Sequence, residues 1–150
     1  MAKKWVKSLI PELYLIWQLL FQIAEKNGII HLFNIASGKP ILSLHCGLEP
    51  LLTADWSFSN SLLIAAAVRS DLVIYDLSKM AIVSKKKIAQ DIVKSVKLAP
   101  FSDFILATAA QPNYCVQVMN VRSNQTLPII QKEPINGIGW MKQRQVLVSS

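Results

Sequence analysis

Apolar residues along the chain gather in short runs, each ended by a polar or turn-forming connector, which is the spacing of strands joined by hairpins. The stretch DWSFSNSLLIAAAVRSDLVIYDLSKM, Asp55 to Met80, reads as strand, turn, strand and closes on an aromatic-Asp pair. Around it the pattern predicts four strands: LLTADW from Leu51, SLLIAAAV from Ser61, DLVIYDL from Asp71 and KMAIVSKK from Lys79. Four more follow: IVKSVKL from Ile92, DFILATAA from Asp103, YCVQVMN from Tyr114 and TLPIIQK from Thr126. The second strand of each set is continuously apolar, as expected of a strand covered on both faces. Connectors such as SFSN after Trp56 and SNQ after Arg122 supply hairpin turns.

These sets are copies of one unit. NGIIHLFNI from Asn27, RSDLVIYDL from Arg69 and NYCVQVMNV from Asn113 share a polar start and a short apolar strand. Each then closes on a large residue, an Asn or Asp, and an aliphatic residue. The closing pairs are Phe33-Asn34, Tyr75-Asp76 and Met119-Asn120, spaced 42 and then 44 residues apart. A second marker keeps the same step, because Trp56, Leu98 and Trp140 fall at successive intervals of 42 residues. Two independent markers with one period define a repeat, and four short strands per copy are the pattern of a WD-type propeller blade. The expected fold is therefore all-β, an incomplete WD40-type β-propeller. It would comprise an incomplete blade over 20–46, blades over 50–88 and 91–132, and a half blade over 134–150. Residues 1–19 form a leader with no place in the repeat. The nine marker residues are structural, with Trp56 and Trp140 expected in the core.

The copies are degenerate. WD blades usually lock themselves with a Gly-His pair before the first strand and an Asp in the turn before the third. Here that turn holds Asn27, Arg69 and Asn113, and the Gly-His pair is missing. Asn accepts a hydrogen bond as Asp does, whereas Arg does not. Packing is therefore expected to hold the blades together. Closed propellers need about four blades or more, so two flanks should lie open. The expectation is a piece of a longer protein, or a chain that docks through its sheet edges, poorly soluble on its own.

Composition narrows the function. The 150 residues are 52% hydrophobic, enough for one core and against disorder. The net charge is +7, concentrated only at Lys3, Lys4 and Lys7 and in the run Lys85-Lys86-Lys87, read as a solvated loop. No aromatic residues alternate with these lysines, so direct nucleic-acid binding is not expected. Cys46 and Cys115 lack CxxC partners and fit a reducing compartment. Asn124-Gln125-Thr126 matches a glycosylation sequon and is read as a turn. Near the start, Pro11, Glu12, Gln18 and Gln22 interrupt the apolar run short of the roughly 20 residues that span a bilayer. No cleavage-site pattern follows it, so neither membrane insertion nor a targeting role is expected. Phosphate-binding glycine loops, HExxH and GxSxG are absent. His31 and His45 lie in or beside strands without metal spacing. Asp55 beside Trp56 and Asp103 beside Phe104 read as turn or strand-end residues. No catalytic, cofactor-binding or metal residue is expected, and no cofactor or small-molecule substrate.

Several segments carry a family resemblance. AEKNGIIHLFNI from Ala24 with ILSL at Ile41, EPLLTADWSFSN from Glu49, ILATAAQP from Ile105 and LPIIQKEPINGIGW from Leu127 occur in one order. In that order the chain from about Leu20 to Ser150 resembles the C-terminal part of the propeller of the small WD-repeat nucleoporin. That subunit belongs to the Y-shaped complex, the outer-ring scaffold of the nuclear pore. The resemblance implies a non-enzymatic scaffold subunit that docks on a large helical-solenoid nucleoporin at the nuclear envelope. It also implies support of pore assembly and of protein and mRNA transport, and, in animals, a presence at kinetochores in mitosis. LLTADWSFSNSLLIAAAVRSDLVIYDL and VKLAPFSDFILATAA also resemble the peroxisomal import receptor for N-terminal targeting signals, a peptide-binding propeller. AEKNG and LPIIQK favour the nucleoporin.

Overall fold

Each strand that the hydrophobic pattern predicts pairs with its neighbour in sequence, so the chain builds one antiparallel meander after another. The computed structural model describes residues 20–24, 27–34, 37–47, 50–57, 63–90, 92–102, 104–110, 114–141 and 146–149. The first sheet joins β1 (Leu20–Ala24), β2 (Ile29–Asn34) and β3 (Lys39–His45). The second joins β4 (Leu51–Trp56), β5 (Leu63–Val68), β6 (Asp71–Asp76) and β7 (Ala81–Lys87). The third joins β8 (Val93–Leu98), β9 (Ile105–Ala110), β10 (Cys115–Asn120) and β11 (Gln125–Ile130). A two-stranded sheet follows, β12 (Ile138–Met141) with β13 (Val146–Ser149).

Alternation along the strands sends each side chain to one of two neighbouring sheets. On β5, Ile64, Ala66 and Val68 face the first sheet, where they meet Ile30 and Leu32 of β2 and Leu44 of β3. Ala65 and Ala67 face the third sheet and join Val96, Leu98, Leu106 and Met119. Beyond it, Ala107, Ala109 and Val116 meet Ile135 and Ile138. Three cores thus lie between four stacked sheets. This explains why β5 and β9 carry no polar alternation: both faces of each are covered. Their alanines, fully buried at 65–67, give the sheets a shallow surface on which to approach.

The repeat extends to backbone details that the sequence does not announce. Pairing slips between Leu32 and Phe33 and again between Ile74 and Tyr75, 42 residues later. It slips between Leu51 and Thr53 and again between Val93 and Ser95, at the same interval. Such bulges bend and twist the strands locally. Gly38, Met80 and Asn124 each take a positive φ, of 64°, 50° and 58°, in the turn before the outermost strand. The Asn and Asp markers cap those turns. Asn34 Oδ1 accepts from the Ser37 N–H at 3.0 Å, Asp76 Oδ1 from the Ser78 N–H at 2.8 Å, and Asn120 Oδ1 from the Arg122 N–H at 3.0 Å. A short side chain with an acceptor can close the turn on its own backbone, hence Asn or Asp in all three copies.

The outermost strands carry devices against edge pairing: Pro40 in β3, three lysines in β7 and Pro128 in β11. The lysine run read as a loop is therefore corrected to the end of β7, where Lys85, Lys86 and Lys87 pair with Val73, Leu72 and Asp71. The register holds because alternate β7 residues project into solvent, leaving lysine side chains hydrated while their backbone completes the ladder. Residues 1–19, Asn113 and Asp103 lie outside the described residues.

Candidate functional site

The innermost strands β4, β8 and β12 lie side by side, and the second marker series runs along them. Trp56 and Trp140 are half-buried at the margins of the first and last cores, and Leu98 is buried in the middle one. One residue before each marker sits Asp55, Lys97 or Gly139. The Leu98 N–H donates to Asp55 Oδ2 at 2.7 Å, and Lys97 Nζ lies 3.5 Å from Asp55 Oδ1. The Trp140 indole N–H donates to the Lys97 carbonyl at 3.0 Å, and its ring meets Phe101 edge-on at 5.5 Å. Both hydrogen bonds span 43 residues, one full repeat, and each ties one sheet to the next. Asp55 lies at the end of β4, as its reading as a turn or strand-end residue has it, and it also bridges two sheets. Likewise, packing between the sheets is supplemented by polar ties.

Burial pushes the Asp55 carboxyl above its ordinary value, against the Leu98 N–H and the Lys97 ammonium, which pull it down. The native state therefore holds this proton more tightly than the unfolded chain. The stability so contributed is present below the ordinary carboxylate value, about pH 4, and is lost as pH rises through the raised one. Asp55→Asn keeps an acceptor and removes that dependence. It is expected to lie within about 1 kcal/mol of the parent and to flatten the pH dependence of stability that the parent shows above about pH 4. Asp55→Ala strands a buried N–H and is expected to cost about 1–3 kcal/mol. Urea titrations across that range distinguish the three. At Asp76 burial also raises the carboxyl, but hydrogen bonds from Ser78 and Lys79 outweigh it and hold it below the ordinary range.

The first marker series turns one way. Tyr75 and Met119 are buried against the sheet that precedes their own. Phe33, on the same face of the first sheet, is half-buried beside His31, whose Nδ1 lies 2.8 Å from Ser43 Oγ. At the other end, Met141, Val146 and Val148 present an exposed apolar face on the last sheet. Burial raises the Cys46 thiol to about 11, which suits a core residue. Among the described residues no cluster of His, Cys, Asp or Glu could hold a metal ion.

The stacked meanders make this chain an all-β, partial WD40-type β-propeller. A chain in the crystal structure of the mitotic checkpoint complex superimposes on it with a TM-score of 0.72 at 16% identity, covering 87% of this chain and 41% of that one. No family model matches the sequence. Among curated proteins it is similar to nucleoporin Nup37 of Drosophila melanogaster, 30% identical over 122 residues, and to nucleoporin Nup37 of Mus musculus, 24% identical over 122 residues. Each alignment takes in 79% of this chain, which spans 37% of the relatives' length. The resemblance to a peroxisomal import receptor gains no support from these matches.

Proposed function

We propose that the chain is a non-enzymatic interaction module of the nuclear pore's outer-ring Y complex, docking on a large helical-solenoid nucleoporin. The observation that carries this reading is the similarity to Nup37, with 30% identity running through 79% of the chain. The fold is compatible with it, since a stack of rigid sheets offers strand edges and apolar faces to a partner. The accompanying localisation is the nuclear envelope at the pore, with kinetochores in mitosis, and the role is support of pore assembly and of protein and mRNA transport. A tagged pull-down from nuclear extract, read by mass spectrometry, tests it. Recovery of the large solenoid nucleoporins is expected. A soluble, cooperatively folded chain that captures none of them counts against the reading.

A further inference from the structure

The sequence contains the dipeptide Asn-Gly twice, at Asn27-Gly28 and at Asn136-Gly137. This pair has a chemistry of its own. The backbone nitrogen that follows an Asn can close a five-membered ring on the side-chain carbonyl carbon, Cγ. Glycine at the second position puts no Cβ in the way of that approach. The fold sets the two copies in opposite surroundings.

Asn27-Gly28, between β1 and β2, is clamped. Gly28 is buried with a φ of 75°, and its carbonyl accepts from the Cys46 N–H at 2.8 Å. Ring closure requires the peptide group between the two residues to swing, and the Gly28 side of that group is pinned to the end of β3. Asn136-Gly137 lies between β11 and β12 and belongs to no strand. Asn136 is exposed, and the Gly137 N–H makes no backbone hydrogen bond to another described residue. On either side of the pair, Ile135 and Ile138 are buried in the third core. An exposed, reactive dipeptide therefore spans two anchored side chains.

We propose that Asn136 is a modification site at which the chain converts itself to isoaspartate and loosens the seat of β12. The Gly137 nitrogen gives its proton to a solvent base and bonds to Asn136 Cγ. The bond from Cγ to the side-chain nitrogen breaks, and that nitrogen leaves as ammonia with a proton from water. Water then opens the succinimide. Cleavage between Cγ and the Gly137 nitrogen gives Asp, and cleavage on the main-chain carbonyl side gives isoaspartate. The sum is an amide and water going to a carboxylate and ammonia, with no change of oxidation state. In isoaspartate the main chain runs through Cγ and gains one methylene, so Ile135 and Ile138 can no longer both keep their places. The inference does not depend on the pore reading.

Incubation of the full chain in mildly alkaline buffer, with peptide mapping by mass spectrometry over time, tests it. The same chain in urea is the control, because there both Asn-Gly pairs are equally free. In the folded chain Asn136 is expected to react within about threefold of its rate in urea, and Asn27 at least about tenfold more slowly than Asn136, since a small misplacement of reacting atoms costs that much or more. Once Asn136 is mostly converted, the melting temperature should fall by at least roughly 2 °C. Asn136→Gln, whose six-membered ring closes far more slowly, should keep its melting temperature through the same incubation. Equal rates at Asn27 and Asn136 in the folded chain would overturn the site, as would strong protection of Asn136 relative to urea. An aged parent chain that melts like the fresh one would overturn the loosening of β12.

Discussion

Tyr75→Ala and Met119→Ala are each expected to lower stability by about 2–5 kcal/mol, whereas Phe33→Ala at the same repeat position costs about 1 kcal/mol. The three residues are equivalent by sequence, 42 and 44 residues apart. They differ in what covers them. Tyr75 is buried between the first and second sheets and Met119 between the second and third. Phe33 points the same way from the first sheet and is only half-buried. Truncating a buried side chain removes its transfer free energy and leaves a cavity that rigid sheets cannot close. At Phe33 water fills the space. Urea denaturation followed by circular dichroism measures all three. A Phe33→Ala loss as large as that of Tyr75→Ala would mean that its face is covered in solution.

Strand positions and the repeat were legible because burial on one or both faces writes itself into hydrophobic alternation. SLLIAAAV from Ser61 reads as a fully covered strand, and β5, Leu63–Val68, is one. Lys85 to Lys87 misled for a related reason: a run of charge signals solvent, and an outermost strand is solvated while its backbone stays paired. The Asn and Asp markers were found by spacing, yet their work as turn caps depends on an acceptor reaching two or three residues ahead, which spacing does not reveal. Asp55 was harder still. Its bond to Leu98 joins residues 43 positions apart, and only the stacking of one sheet on the next brings them together. The period of 42 held a hint, since Asp55, Lys97 and Gly139 each precede a marker. Their residue types share no chemistry, so the interval alone carries no sign of the bond.

Ala66→Leu is the converse experiment, adding volume at a small side chain buried between two sheets. Ala66 faces the first sheet and is fully buried beside Ile64, Val68 and Val73. Its neighbours Ala65 and Ala67 face the third sheet, equally buried. A strand covered on both sides cannot shift toward either one without displacing the opposite core, so extra methylene groups force strained rotamers or part the sheets. The expected cost is about 1–3 kcal/mol, a fall in melting temperature of roughly 3–10 °C for a chain of this size. Ala81→Leu on the exposed side of β7 adds the same volume and should change little. Ile64 lies two residues from Ala66 on the same face, so shortening it makes room. The double variant Ile64→Ala/Ala66→Leu should therefore be more stable than the sum of its two losses by at least about 0.5 kcal/mol. Strict additivity would show that the two side chains do not share one space, and that something other than the contact between the first and second sheets limits their approach.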